Sequence, residues 1–105
     1  MRSIAAALLI TVGANVLHAD DLDQDMTPEM ARMTGEINAA VALCDFKLRE
    51  SEHIFRLLPL IYYERGRGDL LAQASGASLA FQSMYKSDLV GACDTARSRY
   101  SIAFE

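Results

Sequence analysis

The chain has 105 residues with 10 basic and 14 acidic side chains, so its formal net charge at pH 7 is −4. A length of this order predicts one small domain. Five of the acids lie between Asp20 and Glu29, and basic and acidic residues are equal in number from Met30 onward. The sequence therefore lacks the clustered positive charge that nucleic-acid binding requires, and no nucleic-acid partner is expected.

Residues 1–19 have the layout of a secretory signal peptide. Arg2 precedes an apolar run over residues 4–12, and the small residue Ala19 stands directly before the acidic run that begins at Asp20. This run is shorter than the roughly 20 apolar residues that a membrane-spanning helix needs. We therefore expect cleavage after Ala19, a secreted or periplasmic protein, and no integral membrane span after cleavage. An uncleaved N-terminal anchor is the alternative.

The mature chain is expected to begin with an acidic flexible arm, residues 20–26, followed by a single helical domain, residues 27–105. Thr27 is suited to cap a helix, and Pro28 to occupy its first position. Helical spacing of apolar residues follows, at Met30, Met33, Ile37, Val41, Cys44, Leu48, Ile54, Phe55, Leu58 and Tyr62. Pro59 lacks the backbone donor that a helix interior requires, so we expect a break or a kink near Leu57–Pro59.

Residues 65–68 predict a loop, with Asp69 as the next helix cap. The apolar stripe that follows consists of Leu70, Leu71, Ala74, Ala77, Phe81 and Met84. Residues 87–88 predict the start of a last helix, whose inward positions are Leu89, Cys93, Ala96, Tyr100 and Ala103. The fold class expected is all-α, a small bundle of three to four helices.

The cysteines are Cys44 and Cys93, 49 positions apart, each on the inward stripe of its own helix. An export signal implies an oxidising compartment, so we expect one disulfide that staples the first long helix to the last. Two buried free thiols are the alternative. After cleavage one histidine remains, His53, and there is no Cys-x-x-Cys motif, so neither a metal site nor a cofactor is expected.

Catalytic patterns are weak throughout the chain. Residues 21–25 resemble the start of a calcium-binding loop, but Met26 replaces the glycine of that loop and Arg32 its final glutamate. Around His53 the sequence shows no nucleophile with an orienting acid. We therefore expect a protein that is not an enzyme.

A dense apolar block over residues 54–63 surrounds Pro59. Such a helix is either central in the bundle or partly covered by another chain. The candidate partner-binding residues are Phe55, Leu58, Ile61, Tyr62 and Tyr63, with burial in the core as the favoured alternative. The function expected is protein–protein binding, without catalysis, by an envelope assembly or accessory factor. A homo-oligomer is a further alternative.

The layout resembles that of the periplasmic acid-stress chaperones, which are exported helical proteins of similar length with one disulfide. Residues 44–46 and 92–93 are similar to the surroundings of the cysteines in that family. The resemblance implies a holding chaperone, although this chain lacks tryptophan and a lysine-rich C-terminal end. A second alternative is an immunity or inhibitor protein against a cell-envelope toxin, whose acidic arm would steer association with a basic partner.

Overall fold

Four helices and one short 3-10 turn account for most of residues 24–105, the part of the chain that the computed structural model describes. The helices are α1 (Pro28–Cys44), α2 (Ile54–Glu64), α3 (Gly68–Ser87) and α4 (Leu89–Arg99), and the turn is Glu50–Glu52. This confirms the all-α bundle of three to four helices. The expected signal peptide, residues 1–19, and the first part of the acidic arm lie outside the described residues.

Helix α1 begins as its sequence predicts. The Thr27 hydroxyl accepts a hydrogen bond of 3.1 Å from the backbone N–H of Met30, and Pro28 occupies the first helical position. The end of the expected arm is less free than predicted, because Met26 packs against the core and the Tyr62 hydroxyl donates to the Asp25 carbonyl at 2.8 Å. The folded part of the chain therefore includes Asp25 and Met26.

The break between the first two helices lies earlier than the sequence predicts. Helix α1 ends at Cys44, and Asp45 follows in the left-handed conformation with φ of 58°. Helix α2 continues through Pro59 to Glu64, so of the break or kink expected near this proline, the break does not occur. A side chain of α1 replaces the missing donor: Asn38 Nδ2 donates to the Phe55 carbonyl at 2.8 Å, the acceptor that residue 59 would otherwise use.

Helices α1 and α3 form the centre of the bundle and approach closely through small residues. A Cβ added to Gly35 would overlap the carbonyl of Ala74 and lie 3.1 Å from the Cβ of Ala77. The core around this contact is mostly aliphatic and aromatic, and it contains Ala31, Ile37, Ala39, Ala40, Leu48, Phe55, Leu58, Tyr62, Leu70, Ala74, Phe81, Ala92, Ala96, Ala103 and Phe104.

A disulfide between Cys44 and Cys93 joins the end of α1 to α4, with their Cα atoms 5.7 Å apart. This confirms the predicted staple. Next to it the C-terminal segment pairs with the segment after α1: the Arg49 N–H donates to the Ala103 carbonyl at 2.9 Å, and the Glu105 N–H to the Lys47 carbonyl at 2.8 Å. These bonds hold the C-terminal segment against the segment that follows α1.

The later helix starts agree with the sequence at one of two positions. Asp88 caps α4, since its carboxylate accepts from the Gly91 N–H at 3.0 Å. Asp69 does not cap α3, which begins at Gly68. Its carboxylate instead accepts two hydrogen bonds from the Arg67 guanidinium, at 3.0 and 2.9 Å.

Candidate docking surface on helix α2

The five residues predicted to bind a partner are divided by α2 between the core and the surface. Phe55, Leu58 and Tyr62 are buried in the bundle, and Ile61 is half-buried. Tyr63 is 71 % exposed. The structure therefore assigns the first three side chains to core packing, and Tyr63 alone among the five stands fully at the surface.

The exposed side of α2 is nevertheless apolar. Leu57 and Leu60, which were not among the predicted residues, are 53 % and 55 % exposed. A helix turns about 100° per residue, so Leu57 and Tyr63 lie about 60° to either side of Leu60. The buried Leu58 lies about 160° away from Leu60 on the same count. These three exposed side chains thus form one continuous strip opposite the core.

Two exposed charges, Arg56 and Glu64, flank this strip at opposite ends of the helix. We define the α2 outer face as Arg56, Leu57, Leu60, Tyr63 and Glu64. An apolar centre with tyrosine and arginine, bordered by charge, is the composition that distinguishes protein interfaces from the rest of a protein surface.

The opposite side of α2 is anchored by polar contacts as well as by packing. Asn38 holds the Phe55 carbonyl, and the Tyr62 hydroxyl holds the Asp25 carbonyl, each at 2.8 Å. Burial raises the pKa of Tyr62 above its ordinary value, an effect that the nearby Thr34 hydroxyl opposes. The outer face is therefore presented on a helix whose inner side is fixed, which lowers the entropy lost on binding.

A second group of exposed apolar side chains lies around the connection between α3 and α4. Met84 and Leu89, expected on inward stripes, are 41 % and 53 % exposed, and Val90 is 66 % exposed. The inward position at the start of α4 is instead Ala92. This group is divided between two helices and an intervening cap, whereas the α2 outer face lies on one helix.

The groove that contains His53 has a volume of about 490 Å³ and is lined by Phe46, Lys47, Leu48, Glu50, His53, Arg56 and Glu105. It brings the histidine near two acids, one of them from the far end of the described chain. None of these described lining residues is a serine, threonine or cysteine. The groove therefore supplies a base and acids without a hydroxyl or thiol nucleophile of its own.

A polar cluster joins α1 to the end of α4. The Tyr100 hydroxyl donates to the Glu36 carboxylate, and Arg99 forms an ion pair with the same carboxylate at 3.3 Å. Burial, together with the hydrogen bond to Glu36, raises the pKa of Tyr100 to about 12. These three side chains bind one another, and the cluster links α1 to the end of α4.

Within residues 24–105, no group of three acidic, histidine or cysteine side chains is placed to hold a metal ion. None of the described helices combines the length and apolar character needed to cross a membrane. No protein-family model matches the chain, and neither a curated protein nor a solved structure is detectably similar to it. The α2 outer face is consequently identified by its physical chemistry.

The sequence contained a signal for the division of α2 into two apolar faces. Counting the helical period from Ile54 separates Leu57, Leu60 and Tyr63 from Phe55 and Leu58. The sequence alone placed no helix start at Ile54, because the apolar spacing continues from α1 across the break. Both faces are apolar, so only the packing of α2 against the rest of the bundle decides which of them is buried.

Proposed function

We propose that this is an exported protein that acts by binding another protein through the α2 outer face. The observation that carries the proposal is the strip of Leu57, Leu60 and Tyr63, exposed by more than half on one side of a helix whose other side is anchored in the core. Large apolar side chains grouped on one element are costly to leave in water, and such patches commonly mark interaction sites.

The compartment is part of the proposal. Disulfides persist in oxidising environments, and the Cys44–Cys93 bond closes a loop that includes α2 and α3. The layout of residues 1–19 supports export to the periplasm or the exterior. The intact mass of the natively expressed protein tests this: we expect a chain that begins at Asp20, with both thiols protected from alkylation until reduction. A mass that retains residues 1–19 with two free thiols would exclude the exported form.

Docking is tested by site-specific photo-cross-linking in cells that express the protein. A photoreactive amino acid at Leu60 probes the centre of the face, and one at Leu79 serves as the matched control. Leu79 is 64 % exposed on α3, so it presents a comparable side chain elsewhere on the molecule. We expect a discrete cross-linked complex with another protein from position 60 and none from position 79.

The substitution Tyr63→Glu should abolish that complex while the helical circular dichroism stays unchanged, because Tyr63 is exposed and makes no part of the core. Equal cross-linking from positions 60 and 79 would indicate non-specific capture and contradict the proposal. The absence of any complex from Leu57, Leu60 and Tyr63 alike would also contradict it.

A further inference from the structure

The order of residues on the α2 outer face is self-complementary. Leu60 lies at its centre, and Leu57 and Tyr63 are equally spaced on either side along the chain. Arg56 and Glu64, of opposite charge, stand four residues from Leu60 in opposite directions. A face arranged in this way matches a copy of itself turned end to end.

Two copies of α2 packed antiparallel about a two-fold axis at Leu60 would place each residue level with its counterpart in the reversed order. Leu60 would meet Leu60, and Leu57 would be level with Tyr63 of the second copy. Arg56 lies about 40° from Leu60 on the helix, on the side where Tyr63 lies. It would therefore lie on the same side of the interface as the Tyr63 ring of the second copy, and level with the Glu64 carboxylate across the interface.

Parallel packing lacks this complementarity, because it would place Arg56 against Arg56 and Glu64 against Glu64. Like charges at matched positions across an interface are unfavourable, whereas opposite charges direct association and fix its register. A two-fold arrangement is also the commonest symmetry among homodimers, and it requires one patch that matches itself.

We propose that the occupant of the α2 outer face is a second copy of this chain, bound antiparallel about Leu60. This inference rests on the proposed function, since it names a partner for the same surface. One face of an 11-residue helix is small for a permanent interface, so the dimer is weak.

The test is sedimentation equilibrium of the mature, oxidised chain between about 5 and 500 μM, where mass action shifts a weak dimer from mostly dissociated to mostly associated. We expect a monomer–dimer equilibrium. Leu60→Glu should raise its Kd by about tenfold or more, because a single substitution places two carboxylates opposite each other at the axis. Leu79→Glu is the matched control and should leave the Kd unchanged.

A charge exchange separates self-association from other uses of the face. Arg56→Glu and Glu64→Arg should each weaken the dimer, and the double variant should restore it, because each charge meets its opposite again in the second copy. Restoration without any change in net charge is specific to antiparallel self-pairing. These positions are exposed, so circular dichroism should confirm that all three variants fold.

Three results would overturn the inference: a monomer at every concentration, a dimer unaffected by Leu60→Glu, or a double variant as weak as the single ones. If the chain stays monomeric while position 60 still cross-links to another protein, the proposed function stands and the self-pairing fails. If the dimer forms as described and no other protein is captured, the self-pairing stands and the binding of another protein fails.

Discussion

The side-chain amide of Asn38 donates to the main-chain carbonyl of Phe55, 2.8 Å away, and this carbonyl lies four residues before Pro59. A proline within a helix leaves its acceptor at i−4 without the usual donor. One side chain of α1 thus replaces the hydrogen bond that α2 cannot make for itself. The same contact joins the helix that carries the docking surface to the centre of the bundle.

Asn38→Ala should lower the free energy of unfolding by about 1–2 kcal/mol, because it leaves the Phe55 carbonyl without its partner. The urea midpoint measures this. Pro59→Ala provides the matched background, since the alanine N–H can donate to the same carbonyl. In the Pro59→Ala background, Asn38→Ala should lower the free energy of unfolding by less than about 0.5 kcal/mol. Equal costs in both backgrounds would mean that the amide and the proline are not coupled.

Gly35→Ala should lower the free energy of unfolding by about 2–3 kcal/mol, since the new methyl group meets the backbone of α3 at Ala74 and the helices must separate. Gly76→Ala is the control within α3, where an added Cβ meets nothing within 4 Å. It should raise stability by about 1 kcal/mol through helix propensity alone. Thermal unfolding of both variants measures this difference in stability. A Gly35→Ala variant as stable as the wild type would contradict the close approach of α1 and α3.

The double variant Cys44→Ser, Cys93→Ser should have a free energy of unfolding about 4 kcal/mol lower than the wild type. Without the bond the unfolded chain regains the conformational entropy that closure of a loop of 49 positions removes. For a domain of this size that loss lowers the Tm by roughly 15–30 °C. Wild-type protein unfolded in the presence of a reducing agent should show a similar Tm to the variant. A double variant with the same Tm as the oxidised wild type would exclude the disulfide as a main source of stability.

Burial of Tyr100, together with its hydrogen bond to Glu36, should make stability depend on pH at alkaline values. The pKa of Tyr100 is raised to about 12 in the folded protein, against 10.0 for an ordinary tyrosine. The contribution of Tyr100 to the free energy of unfolding is therefore complete below pH 10, where the folded and the unfolded chain both keep the proton. This contribution is lost as the pH rises toward 12. Because the unfolded chain releases the proton first, rising pH favours unfolding.

Tyr100→Phe isolates this effect, since the other tyrosines remain in both proteins. At pH 8 the variant should be about 1 kcal/mol less stable than the wild type, as expected for a lost hydrogen bond to a carboxylate. Urea midpoints at increasing pH should show the difference narrowing between pH 10 and 12. A stability difference that stays constant over this range would mean that the pKa of Tyr100 is not raised in the folded protein.

Several features followed from local sequence because their physics is local. Thr27 and Asp88 cap their helices with side chains that reach a backbone N–H three residues ahead, and such a motif needs no tertiary partner. The helical spacing of small and apolar residues likewise defines an all-α chain. The two cysteines were the single possible pair, so their position on inward stripes was enough to predict the bond.

The remaining features depended on contacts between distant segments. Pro59 stays inside a helix because Asn38, 17 residues before Phe55, supplies the missing donor. Phe104 is buried because the C-terminal segment pairs with the segment around Leu48. Neither partner is visible to a pattern that compares residues only three or four apart.

The sequence by itself determined the class of fold, the staple and the apolar character of residues 54–63. The tertiary structure decided which of those apolar residues face water. Burial depends on the register of α2 against α1, and that register follows from the left-handed turn at Asp45 and from the hydrogen bonds made by Asn38 and Tyr62. The docking surface is thus a property of packing, since it consists of the side chains that the core leaves outside.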